Sequence, residues 1–207
     1  MVIAIDGPAG AGKSTVSRAV ARELGFTYLD TGAMYRAVGL AASESDEPAA
    51  QVAERIEIEV GDRVRIDGRD VTEAIRTPEV SEAASRVAAD LGVRAALVAK
   101  QQALMAEGDW VAEGRDVATV VVPDAAVKVF LTADPGERAR RRAAELGADP
   151  QQVAREQALR DERDASADRT VHEPAPDATP VDTTGLSLDE VVAQIVMLVV
   201  EAREVGE

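Results

Sequence analysis

The 207-residue chain has no cysteine and no asparagine, one histidine and three lysines. Without Cys there is no disulfide framework, thiolate nucleophile or thiolate metal site, which suits a reducing, cytoplasmic setting. With His172 alone, a His-rich zinc site or a Ser-His-Asp triad is remote, and its loop position suits a surface residue rather than a catalyst. Long apolar runs are also missing. Residues 191–200 reach about half the ~20 residues of a membrane span, are interrupted by Gln194, and suit a buried helix. Residues 1–6 have no basic flank and too short an apolar run for a signal peptide.

Positive charge is scarce: 38 acidic residues face 23 basic ones, for a net charge of -15. Such a surface repels a phosphate backbone, so neither nucleic acid nor membrane is an expected partner, and any phosphate ligand must meet a local basic cluster. With 46% hydrophobic and 29% charged residues, the chain suits a globule of one domain, expected to be a monomer.

Residues 2–5 suit a strand buried on both faces, followed by a Gly-rich turn and a helix over 14–24 that ends at Gly25. A second strand is expected at 26–29, a helix at 33–43 and a loop at 43–48. Around 56–75 the apolar residues alternate, with turns at Gly61-Asp62 and Asp67-Gly68, which predicts a small β-meander inserted among helices. Residues 79–102 have helical period with a break near Gly92. Strands at 110–112 and 127–131 follow, then helices at 137–146 and 150–165, a short strand end at Val181 and a closing helix at 188–203. Strands alternating with helices imply an α/β fold around a parallel sheet.

Gly7-Pro8-Ala9-Gly10-Ala11-Gly12-Lys13-Ser14-Thr15 fits G-x-x-x-x-G-K-[ST] between a predicted strand and a predicted helix, the context this phosphate-binding loop requires. Glycines let backbone N–H groups wrap phosphates while the helix N-terminus adds its dipole. Lys13 reaches the outer phosphates and Ser14 is the candidate Mg²⁺ ligand. A GTPase would also need N-K-x-D, impossible without Asn. Instead, arginines stand at the ends of predicted elements: Arg36, Arg115, Arg160 and Arg163. Phosphoryl transfer between two anions needs such groups, because guanidinium forks hold and neutralise phosphates that repel each other.

Five stretches in this order resemble the bacterial cytidylate kinases, which are P-loop nucleoside monophosphate kinases. They are residues 5–15; Leu29-Asp30-Thr31-Gly32-Ala33-Met34-Tyr35-Arg36; Ile75-Arg76-Thr77-Pro78-Glu79-Val80 with Ala83-Ala84-Ser85; Glu113-Gly114-Arg115-Asp116; and Arg160-Asp161-Glu162-Arg163-Asp164. The first is generic to P-loop proteins; the D-[ST]-G-x-x-Y-R, I-R-T-x-E-V and E-G-R-D stretches are specific. The resemblance implies a P-loop kinase fold over 1–207, with an inserted β-rich monophosphate-binding subdomain at about 53–84 and a helical lid at about 137–165. It implies transfer of the γ-phosphoryl of ATP, with Mg²⁺, to CMP or dCMP.

By the same resemblance, Asp30, Thr31, Tyr35 and Arg36 lie on the monophosphate side, with Arg36 on the acceptor phosphate. Ser85, Arg94 and Asp116 match positions that read the cytosine edge; Arg115 and Arg160 match phosphate-binding arginines, and Asp164 a contact to the pentose hydroxyls. The chemistry agrees: Ser85 and Asp116 can accept from the exocyclic amine of cytosine, and Arg94 can donate to its ring acceptors. Uracil presents an oxygen where cytosine has the amine, at a cost of about 1–3 kcal/mol or more. One departure stands out: the family commonly has a second Arg seven residues beyond the Arg160 position, where this chain has Ala167, with Arg169 nearby. The usual A-P-L stretch beyond it is also replaced, by His172-Glu173-Pro174-Ala175-Pro176-Asp177.

Arg138, Arg141 and Arg142 share one face of a predicted helix and fit the lid over ATP, with Arg138 and Arg142 as donor-phosphate contacts; the alternative is a solvated face paired with Glu137 and Glu145. Glu113 either orients Mg²⁺ through water or caps its turn. Met34, Met105 and Met197 suit core filler. Two other readings are a kinase of this fold with a different acceptor and a nucleotide-binding protein without catalysis.

Overall fold

A computed structural model describes residues 1–166 and 174–206, without the side chains of 145, 146, 160–166, 205 and 206. The chain divides into two compact units, residues 1–28 with 108–207, and residues 29–107.

The first unit is built on a sheet whose strands are β1 (Val2–Asp6), β2 (Thr27–Asp30, its second half in the other unit), β6 (Trp110–Glu113), β7 (Val127–Thr132) and β8 (Thr179–Asp182). Their order is β2-β6-β1-β7-β8, and β1 runs parallel to both β6 and β7, as β7 does to β8. The helices of this unit are α1 (Lys13–Leu24), α6 (Pro135–Leu146), α7 (Pro150–Ser166) and α8 (Leu188–Gly206). Alternation along β1 sends Ile3 and Ile5 into a core with Val111, Val129 and Leu131 of its neighbours, closed by Val16 and Val20 of α1 and Val191, Ile195 and Val199 of α8. The closing helix is thus buried along one face only. Met197 is 62% and Val200 49% exposed, which corrects the expectation of a wholly buried segment and of Met197 as core filler; Met34 and Met105 are buried. The period of 3.6 turns Met197 away from the stripe that meets the sheet.

The second unit contains α2 (Thr31–Ser43), α3 (Ala49–Arg55), the antiparallel meander β3 (Ile58–Val60), β4 (Val64–Ile66) and β5 (Arg69–Asp70), a 3₁₀ turn (Ala74–Arg76), and helices α4 (Pro78–Val87) and α5 (Leu91–Leu104). Ile58 pairs with Ile66 and Val60 with Val64, and Asp67-Gly68 links β4 to β5 with both residues at positive φ, 49° and 79°. The helical break expected near Gly92 falls at Asp90, whose carboxylate accepts Gly92 N–H at 2.8 Å and starts a new helix. Helix α3 was not expected. Its C-terminal carbonyls are bound by Lys100, whose Nζ donates to Glu54 O at 3.2 Å and Ile56 O at 3.1 Å, a tertiary cap that local sequence does not announce.

Candidate active site

In the first unit, the carbonyls of the loop after β1 are held by two cations, one local and one from beyond β6. Lys13 Nζ donates to Gly7 O at 2.8 Å and Pro8 O at 2.9 Å, and Arg115 Nη1 donates to the same Gly7 carbonyl at 2.8 Å. Gly7 has φ 149°, and a Cβ there would sit 2.1 Å from Leu131 O, so only glycine lets the loop leave the sheet this close to β7. Ala11 is buried and Gly12 stands as the N-cap of α1, leaving Ser14 and Thr15 exposed on the first turn. Lys13 and Arg115 therefore converge on one carbonyl of this loop, beside the N-terminus of α1 and its dipole.

Helices α6 and α7 reach the same loop. Arg138 Nη1 donates to Ala9 O at 2.8 Å, and a Cβ on Gly10 would lie 2.6 Å from Nε2 of the buried Gln157 on α7. Arg141 is committed elsewhere: its Nη1 and Nη2 donate to Oγ1 and O of buried Thr183 at 3.0 and 2.9 Å, and its Nε to Glu137 at 2.8 Å. Glu137 also accepts from Arg140 at 2.6 Å, and these two guanidinium groups hold its carboxyl below the usual range. Part of the basic face is thus salt-linked to Glu137, while Arg138 turns to the loop and Arg142 stays half-buried; the Glu145 side chain lies outside the described residues.

Where β6 ends, Glu113 is buried and accepts a hydrogen bond from the Tyr28 hydroxyl; Arg18 lies over the Tyr28 ring, 5.1 Å from its centre. Arg115 follows, and then Asp116, buried at the start of a wide turn over Val117–Val121 in which Val121 N–H and Val122 N–H reach back five residues. Asp6, 4% exposed, accepts from Val117 N–H at 3.0 Å and Ala118 N–H at 2.7 Å. Burial raises the Asp6 carboxyl to about 6; the two N–H groups and Lys13 pull against that rise, and Asp116 adds to it.

In the second unit, Asp30 and Arg36 form an ion pair at 2.8 Å, and Asp30 also caps α2, with the buried Thr31 as first helical residue. Tyr35 rides on the same helix, half-buried. Ser85 follows the buried Ala83 and Ala84 on α4, and Arg94 occupies the first turn of α5, both half-buried. The side chains of Arg160 and Asp164, and all of Ala167, Arg169 and His172, lie outside the described residues.

Sequence reasoning did not single out Asp6, Tyr28, Gln157 or Thr183. A charged residue closing an otherwise apolar strand was a usable signal for Asp6; nothing local marks Thr183 or Gln157.

The family model for cytidylate kinase matches residues 3–201. The cytidylate kinase of Carboxydothermus hydrogenoformans is 45% identical, over 99% of this chain and 100% of that protein. A bifunctional pantoate ligase/cytidylate kinase of a Synechococcus species is 49% identical over 95% of this chain, which spans 42% of that longer protein. Among solved structures, a gluconokinase from Sinorhizobium meliloti superposes over 99% of this chain and 94% of its own with a TM-score of 0.53 at 17% identity, a likeness of fold. With a phosphate loop following the middle strand β1 and a family match over residues 3–201, the chain belongs to the cytidylate kinase family.

Proposed function

We infer that this chain, a nucleoside monophosphate kinase, transfers the γ-phosphoryl of ATP to CMP or dCMP, giving ADP and CDP or dCDP. The observation that carries this reading is a phosphate loop with Lys13 and Arg115 on one carbonyl, in a chain matched by the family from residue 3 to 201.

The loop at residues 7–15 cradles the donor phosphates with the backbone N–H groups of all its residues but Pro8, Lys13 binds the outer ones, and Arg138 and Arg142 cover them from the lid at 137–165. Arg36, aimed by Asp30, takes the acceptor phosphate with Arg115 and, by the family pattern, Arg160; Thr31 and Tyr35 line that side. Ser85, Arg94 and Asp116 read the cytosine edge and Asp164 the pentose. The inserted segment at 53–84 carries the monophosphate-binding role. Transfer is in line, without a covalent enzyme intermediate, and the cations stabilise charge spread over the moving phosphoryl group. Closure of the lid excludes water and suppresses idle hydrolysis.

Mg²⁺ fits the donor set. The Ser14 hydroxyl is exposed at the start of α1 beside Lys13, and Mg²⁺ prefers one or two protein oxygens with phosphate and water completing the shell. Bound there with ATP, it would neutralise phosphate charge. No helix among the described residues is long and apolar enough to cross a membrane. A cytoplasmic monomer acting on free nucleotides suits the acidic, cysteine-free chain.

A coupled ADP-release assay with ATP and Mg²⁺ against CMP, dCMP, UMP, AMP, GMP and no acceptor tests this. Turnover confined to CMP and dCMP is expected. Preference for another acceptor would discard the cytosine roles, and silence across the panel would leave a nucleotide-binding protein.

A further inference from the structure

Asp6 spends its charge on an unusual task. It is the last residue of β1, it is 4% exposed, and each of its oxygens takes one backbone N–H, from Val117 at 3.0 Å and Ala118 at 2.7 Å. These are the first donors of the wide turn Val117–Val121, which has no carbonyl of its own one turn earlier to satisfy them. Capping by a carboxylate is a strong, charge-assisted contact.

The bonds around it form a series. Ile5 O accepts Gly114 N–H at 3.1 Å, Asp6 accepts Val117 and Ala118, and Gly7 O accepts Arg115 Nη1 at 2.8 Å. Three consecutive residues, running from the strand into the phosphate loop, are thus stitched to the five residues 114–118 that contain Arg115 and Asp116.

We propose that Asp6 is a positioning residue of the phosphoryl-transfer site, which caps the turn after Asp116 and so fixes Arg115 and Asp116 against the phosphate loop. The inference rests on the roles proposed above for those two residues. Asp6 touches no substrate in this account; it acts through the backbone of its two partners. Keeping a carboxylate here is expensive, because it is buried and lies close enough to Asp116 for the two charges to repel, with Lys13 as the compensating cation. An apolar residue would avoid that cost in the core but leave two buried N–H groups without acceptors.

Asp6→Asn tests it, since the amide keeps the shape and one acceptor while turning an NH₂ toward the second N–H. The expected result is a kcat at least about tenfold lower and a CMP:UMP ratio of kcat/KM reduced at least about threefold, with the ATP dissociation constant by calorimetry within about threefold of wild type. A purely structural cap would lower the melting temperature and leave kcat and the ratio untouched well below it; kcat and ratio within twofold of wild type overturn the proposal. Should Asp6→Asn not fold, amide exchange in the unliganded wild-type protein decides. Protection of Val117 and Ala118 by at least about 10²-fold supports a preorganised turn, and protection below tenfold overturns it. Asp116→Asn, run in parallel, separates the two readings. An unchanged CMP:UMP ratio there discards the base-reading role of Asp116, whereas a damaged Asp116→Asn beside a normal Asp6→Asn overturns this inference alone.

Discussion

Asp30 holds Arg36 with one oxygen and the start of its helix with the other: Oδ2 accepts from Arg36 Nη2 at 2.8 Å, and Oδ1 from Ala33 N–H at 2.8 Å. The guanidinium is aimed by the residue that caps the helix carrying it, and neither side chain is more than 24% exposed.

Asp30→Asn separates the two tasks, because the amide oxygen still caps α2 while the charge opposite Arg36 is gone. The KM for CMP is expected to rise about 5- to 30-fold, the worth of a charge-assisted hydrogen bond, with the melting temperature shifted by only a few degrees. Asp30→Ala removes the cap as well and should cost about 1 kcal/mol more in stability, read by chemical denaturation. A KM within twofold of wild type in both variants would show that Arg36 needs no partner.

Lys13→Ala removes the cation that bridges Gly7 O and Pro8 O. ADP release with CMP should fall by about 10²–10³-fold or more, the effect of deleting one preorganised donor at the transferring group. Circular dichroism should show an intact fold. Near-normal turnover would take Lys13 out of the mechanism.

Gly7→Ala brings a Cβ to 2.1 Å from the Leu131 carbonyl at a φ of 149°, which forces the loop off β7. Loss of ATP binding by calorimetry is expected, with destabilisation of about 2 kcal/mol or more from strain and overpacking. Retained affinity would mean that the loop can bind phosphate from a position farther from the strand.

The raised Asp6 pKa has a definite sign. Its folded value of about 6 stands above the ordinary 3.8 of an aspartate, so the folded protein binds the proton more tightly. This group's contribution to stability is full below about pH 4 and is lost as pH rises through 6. That rise corresponds to about 3 kcal/mol at most. The stability difference between wild type and Asp6→Asn, measured from pH 4 to 7, should therefore shift toward the variant as pH rises; a flat difference would show that Asp6 carries no raised pKa.

Much of the fold was legible where a few neighbouring residues settle the outcome. Asp67-Gly68 makes the turn between β4 and β5 because both must take positive φ, and Asp134-Pro135 opens α6 with the carboxylate on Gly136 N–H at 2.8 Å. Helix α3 was passed over because Pro48 and the acidic stretch before it look like loop, and its end is capped by Lys100, 46 residues beyond Glu54. The solvent face of α8 was misread because a short apolar run has the same composition whether one side or all sides are covered.

The site divides the same way. By itself the sequence determined the phosphate loop and the specific short motifs, because each is a contiguous set of backbone angles and donors. Only the tertiary structure decided which cations rest on Gly7 O, that Arg141 is tied to Thr183, that Tyr28 holds Glu113, and that Asp6 caps a turn 111 residues away. Those pairings follow from β6 entering the sheet beside β1 and β7 on its other side, an order set by the burial of whole strands rather than by any residue's neighbours.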